Sequence, residues 1–132
     1  MYRRTLFQSF KLALEGIRFM VRSEQNMRIH LFFAVFAVVL SLLLKISPLE
    51  FIFIIFAIVL VLITETANTA FELLLDFVHG DKYHPDVKLL KDIAAGGVFI
   101  AAVNAFIIGV VVFGPRLLGM AGLQLICKRG EM

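Results

Sequence analysis

The sequence predicts an all-α membrane protein, with three transmembrane helices preceded by an amphipathic helix lying at the membrane interface. Three observations lead there. Of the 132 residues, 61% are hydrophobic and 17% charged, with a mean hydropathy of +0.94, whereas soluble domains keep about a quarter of their residues charged. Three stretches stay apolar over roughly the 20 residues that a helix needs to cross a bilayer. The first two dozen residues instead carry apolar side chains at steps of three and four, the spacing of one helix face.

The amphipathic helix is expected over about residues 5–25. Phe7, Phe10, Leu14, Ile17 and Val21 form its apolar face, and Lys11, Glu15, Arg18 and Arg22 a polar stripe beside it. Such a helix lies in the interface, with its cations toward anionic headgroups. Charges recur through this segment and no small-residue cleavage site follows an apolar core, so it is not expected to be a signal peptide.

The first span is expected over about 29–46, with Lys45 free to snorkel at its end, and the turn "ISPLE" follows. The second is expected over 49–69. The third, "IAAGGVFIAAVNAFIIGVVVF", covers 93–113, where Pro115 should stop it. Gly97, Ala101, Ala105 and Gly109 recur every four residues along it, a seam that lets helix backbones approach closely, and Asn104 in mid-span should hydrogen-bond a neighbouring helix. The tail 118–132 is too short to span again, so 1–117 reads as one domain. That is too small for a transporter built on its own inverted repeats. A single cysteine, Cys127, rules out an internal disulfide framework, and no nucleic-acid partner is expected.

Orientation follows from the cations. Arg3, Arg4, Lys11, Arg18, Arg22 and Arg28 precede the first span, and Lys82, Lys88 and Lys91 lie between the second and third. These nine of the thirteen Lys and Arg residues share one side of a three-span protein. The positive-inside rule makes that side cytoplasmic.

Chemistry is expected in "ITETANTAFELLLD", residues 63–76. If the second span runs on as one helix to Val78, it is about 45 Å long at 1.5 Å per residue, against a hydrocarbon core of about 30 Å. Glu65 then sits at the cytoplasmic edge of the hydrocarbon, with Glu72 and Asp76 in the headgroup zone. At about 100° per residue, Glu65, Asn68, Glu72 and Asp76 share a sector of about 80°. Snorkelling explains Asp76. It does not explain Glu65, which has little reach, and ionisable groups inside spans are functional by default. Glu24 stands at the same level before the first span, where Arg28, four residues on, could pair with it.

An acidic stripe beside cations suits either proton or cation movement, or Mg²⁺-assisted phosphoryl transfer. The loop "HGDKYHPDVKLLKD" favours the second. His79-Gly80 reads as a helix stop, and Pro85 starts a new turn that carries Lys88 and Lys91 to the foot of the third span. No GxxxxGK[ST] pattern occurs, so a P-loop is excluded. His79 and His84 among Asp76, Asp81 and Asp86 match no standard spacing for a transition metal.

The stretch "ETANTAFELLLD", with "KD" and "AAGG" some fifteen residues later, resembles the bacterial integral-membrane diacylglycerol kinase and undecaprenol kinase family, from "SFKLALEGI" to "VVFGPRL". Its signature reads E-x-x-N-[ST]-A-[IV]-E-x-x-x-D, and Phe71 replaces the usual Ile or Val. The resemblance implies a homotrimer in the inner (cytoplasmic) membrane that phosphorylates a lipid hydroxyl with ATP and Mg²⁺. It implies that Glu65 is the general base and that Glu72 and Glu24 hold Mg²⁺. Asn68 and Asp76 belong to the same polar constellation, Lys91 and Asp92 to the nucleotide side, and Tyr83 and His84 to the loop approaching the nucleotide. "DKYHP", "LLKDIAAGG" and "FGPRL" look more like the Gram-positive branch, which implies undecaprenol as the acceptor, with diacylglycerol as the alternative. A non-catalytic cation-conducting or assembly subunit is the rival outside the enzymes.

Overall fold

Among the described residues four helices follow one another: α1 (Leu6–Ser23), α2 (Gln25–Leu43), α3 (Pro48–His79) and α4 (Pro85–Arg129). The computed structural model describes residues 5–80 and 83–129, with side chains as far as Gly119. Arg3, Arg4, Asp81 and Lys82 therefore lie outside the described residues, as do the side chains of Cys127, Lys128 and Arg129.

Three of the four described helices, α1, α3 and α4, start where a side chain satisfies a free amide. Thr5 and Gln8 close a capping box on α1, with Gln8 N donating to Thr5 Oγ1 (3.3 Å) and Thr5 N to Gln8 Oε1 (3.0 Å). Ser47 and Glu50 do the same for α3, where Pro48 takes the first turn. His84 opens α4, its Nδ1 accepting from Asp86 N (3.3 Å) and its carbonyl from Lys88 N (3.1 Å). Only Glu24, in extended conformation, separates α1 from α2, and its side chain makes no capping bond. Arg28 does not pair with it. The Arg28 guanidinium instead donates to the carbonyls of Arg22 (2.9 Å) and Val21 (3.4 Å), which the end of α1 leaves without helical partners.

The turn after α2 is a Schellman closure with a non-glycine residue in the left-handed position. Lys45 has φ 48°, Lys45 N donates to Leu42 O (3.3 Å), and Ile46 N donates to Ser41 O (3.2 Å). Ile46 and Leu40 then pack on the same buried cluster. Gly80 ends α3 with φ 64°, as its place after His79 predicts.

Among the described residues three helices are long and apolar enough to cross a membrane, and the longest of them departs from expectation. Pro115 does not stop α4, which continues to Arg129. A proline costs a helix one amide and clashes with the preceding residue's Cβ. Here the preceding residue is Gly114, which has no Cβ, so that clash is absent. The tail is thus an extension of α4, not a separate element. The helices also start earlier than the apolar stretches, at Gln25, Pro48 and Pro85; for α3 and α4 a side-chain cap rather than hydropathy sets the start.

α4 packs chiefly on α3, α2 on α3, and α1 on the start of α2. The close approaches use small residues, with Ala57 and Ala101 each 3% exposed. One end of the bundle is closed by Ile54, Val112 and Phe113, with Leu40, Leu44 and Ile108 around them. At that end Arg116 grips Glu50 with both nitrogens (Nη1–Oε1 2.9 Å, Nη2–Oε2 2.8 Å), joining the start of α3 to α4 across 66 residues. This fork is a contact that neither residue's local sequence announces. Phe32, Phe53, Phe56 and Phe99 are exposed on the outside of the bundle, as suits a bundle solvated by hydrocarbon. Of the expected small-residue seam, Ala101 is buried while Gly97 is open. Asn104 is half-buried and has no interhelical hydrogen bond among the described residues.

Candidate active site

The end of the bundle opposite the Glu50–Arg116 fork carries the acidic stripe. α3 runs unbroken through it, so the spacing of Glu65, Asn68, Glu72 and Asp76 becomes one face. Along that face burial falls stepwise. Glu65 is 1% and Asn68 6% exposed, Glu72 is half-buried and Asp76 exposed. The descent from buried to open that the sequence predicts is present.

Glu65 is, with Ser41, among the most completely buried side chains of the described chain. Among the described residues its Oε2 has no hydrogen-bond partner, and neither has Asn68 Oδ1 one turn on. Buried acceptors left empty cost about 1–3 kcal/mol each, more when charged, and in folded proteins they are rare enough to require a reason. Asn68 does use its amide nitrogen, donating to Glu72 Oε1 (3.2 Å) and so steering that carboxylate. Glu24 and Glu72 both lie within electrostatic reach of Glu65. The break between α1 and α2 thus brings Glu24 to the stripe, as its level in the sequence implies.

His30 is the residue that sequence reasoning passed over. It sits in the second turn of α2, and its Nε2 lies 4.0 Å from Glu65 Oε2. The available signal was a titratable side chain inside a span, the same criterion that singled out Glu65. The apolar run around it, "IHLFFAVFAVVL", masked that signal.

On the polar side, Lys91 of α4 crosses to form an ion pair with Asp76 of α3, and Glu72 also lies within its electrostatic reach. Asp92 turns the other way, pairing with Lys88 one turn back on α4 (2.6 Å). Consecutive helical residues point about 100° apart, so adjacency in sequence does not make Lys91 and Asp92 a pair in space. Tyr83 is exposed. His84, besides opening α4, stacks at a tilt on His79 with ring centroids 5.9 Å apart. The contacts of His84 thus stay at the ends of α3 and α4, away from Glu65. Among the described residues, no group of three His, Cys, Asp or Glu could hold a metal by itself. The transition-metal reading of His79, His84, Asp76 and Asp86 finds no cluster to support it, and Asp81 lies outside the described residues.

An apolar cavity of about 640 Å³ opens between α2, α3 and α4. Phe33, Ala34, Val61, Phe106 and Gly109 are among its walls, and His30 is its one polar lining residue. The arrangement therefore joins a hydrocarbon-lined space, a buried carboxylate with an empty acceptor, two further carboxylates, and a lysine leading to water. It can take a proton from a group presented out of an apolar environment, and it can hold a cation–phosphate pair next to that group.

Comparison with known proteins agrees in kind. The family described as prokaryotic diacylglycerol kinase matches residues 11–113. A diacylglycerol kinase of Synechocystis sp. is 35% identical over 115 residues, covering 87% of this chain and 66% of that protein. An undecaprenol kinase of Bacillus subtilis is 37% identical over 111 residues, covering 84% of this chain and 89% of that protein. The chain thus matches just under two thirds of the Synechocystis protein's length and most of the Bacillus protein's.

Proposed function

The chain belongs to the prokaryotic diacylglycerol kinase family, and on that premise we propose that it is a multi-pass membrane lipid kinase that transfers the γ-phosphate of ATP to a lipid hydroxyl. The observation that carries this reading is Glu65 Oε2, a buried acceptor with no partner among the described residues, one helical turn beyond Val61 and 4.0 Å from His30, both of which line the apolar cavity.

Glu65 is the general base, taking the hydroxyl proton as the oxygen attacks phosphorus. Asn68 orients Glu72 through its amide, and the Asp76–Lys91 pair ties α3 to α4 beside the phosphates. Lys91 serves the nucleotide side through its place beside Asp76, and Tyr83 and His84 lie in the segment that approaches the nucleotide, with Asp92 holding Lys88 there. The donor set fits Mg²⁺, which typically takes one or two carboxylates plus waters and substrate phosphates rather than an all-protein cage. Glu24 and Glu72, both near Glu65, would hold it. When bound it neutralises charge on the β- and γ-phosphate oxygens.

The positive-inside distribution supports a cytoplasmic location for this end, where ATP is, and the proposed location is the cell's inner membrane. A homotrimer fits the open Gly97 and half-buried Asn104 on α4, which offer a face to a second copy. Undecaprenol is the proposed acceptor. The Bacillus relative carries that name and is matched over nearly its whole length, while diacylglycerol is the alternative that the Synechocystis relative's name brings. Labelled ATP and Mg²⁺, offered in parallel with undecaprenol and with diacylglycerol to the purified protein, decide the matter. Labelling of undecaprenol supports the whole reading, labelling of diacylglycerol replaces the substrate, and labelling of neither removes the kinase assignment.

A further inference from the structure

Two observations converge on His30. Its Nε2 lies 4.0 Å from Glu65 Oε2, and it is the one polar side chain among the residues lining the apolar cavity between α2, α3 and α4. A separation of 4.0 Å is too long for a direct hydrogen bond. It is the right size for one oxygen set about 2.8 Å from each atom, with an angle of about 90° at that oxygen. Glu65 Oε2 is an acceptor with nothing donated to it, and an imidazole with its proton on Nε2 is a donor. A hydroxyl satisfies both at once, since it donates one hydrogen and accepts on a lone pair. The cavity is otherwise apolar, so the hydroxyl that arrives there comes on a hydrocarbon chain.

Resting on the kinase reading, we propose that His30 is a second grip on the acceptor hydroxyl, holding the lipid oxygen between its Nε2–H and Glu65 Oε2. The hydroxyl proton then points at Glu65, one lone pair is occupied by His30, and the other is left for the phosphorus. In the transfer, the O–H proton passes to Glu65 Oε2 and the oxygen's pair forms the new P–O bond. The bond from the γ-phosphorus to the β,γ-bridging oxygen breaks with its pair going to ADP. Glu65 afterwards releases its proton to water, which closes the balance. His30 gains and loses no proton. Its contribution is orientation, and a misplacement of about 1 Å in such a site costs about 100-fold.

The test uses the whole chain in its native assembly, with ATP labelled on the γ-phosphate, Mg²⁺, and either undecaprenol or diacylglycerol. His30→Gln keeps an N–H donor at nearly the same reach, and His30→Met keeps the bulk without the donor. We expect His30→Met to lose about 100-fold in kcat, the scale of a lost orienting contact. The loss should be by the same factor for either lipid the wild type phosphorylates, with KM for ATP unchanged. His30→Gln should stay within about tenfold of wild type, because the donor is retained. Equal activity of His30→Met and wild type would overturn the proposal. So would equal loss in the Met and Gln variants, because packing rather than donation would then be at stake. A wild type that labels neither lipid would instead overturn the kinase reading and this grip together.

Discussion

Replacing Glu65 by Gln separates catalysis from folding in one side chain. The amide has the carboxylate's shape, so packing against α2 and α4 is kept. It cannot accept the hydroxyl proton, and general bases commonly contribute 10²–10⁴-fold, so turnover should fall by at least about 100-fold. Stability should move the other way. Glu65 is 1% exposed and its Oε2 receives no hydrogen bond, and a buried carboxylate costs more to hold than a neutral amide. Recovering part of the roughly 1–3 kcal/mol that an empty buried acceptor costs makes Glu65→Gln as stable as wild type or more so. The assay pairs phosphate transfer to the lipid with thermal unfolding of the purified assembly in the same detergent. An inactive variant that melts at or above the wild-type temperature is the signature of a residue kept for function at the expense of stability. Turnover within a few-fold of wild type would refute the base assignment. Loss of activity together with a lower melting temperature would show the carboxylate to be structural.

Three other expectations follow from the geometry. Glu72→Gln should shift the Mg²⁺ dependence of turnover to higher concentration, by about tenfold or more for loss of one carboxylate from the site; an unaltered Mg²⁺ titration would rule out ligation by Glu72. Gly80 has φ 64° at the end of α3, so Gly80→Ala forces a Cβ into the left-handed region at a cost of about 1 kcal/mol, visible as a lower melting temperature with kcat unchanged below it. Arg116→Lys should lower thermal stability nearly as much as Arg116→Ala, because an ammonium cannot reproduce the two parallel bonds to Glu50; full retention of stability in the lysine variant would show that charge alone suffices there.

How far the sequence carried can be followed residue by residue. Glu65, Asn68, Glu72 and Asp76 were legible because helical period converts spacing directly into a shared face, and α3 is unbroken from Pro48 to His79. Gly80 and Pro85 were legible because their backbone limits are local. Pro115 misled, because its effect depends on its neighbour Gly114, which lacks the Cβ that the proline ring would meet. Arg28 misled as well. Its expected partner Glu24 was one turn away, but the unsatisfied carbonyls of α1 lay as close and need a donor more.

By itself the sequence determined that this is a three-span helical membrane protein and which residues form its acidic stripe. Those properties arise from hydropathy and from periods of a few residues, which the chain carries wherever it goes. Only the tertiary structure decided that His30 faces Glu65, that Lys91 reaches Asp76 while Asp92 turns to Lys88, and that Arg116 forks onto Glu50. These contacts depend on how separate helices are rotated and slid against one another. Small residues such as Ala57 and Ala101 set that docking through close packing, and no local pattern encodes the resulting angle.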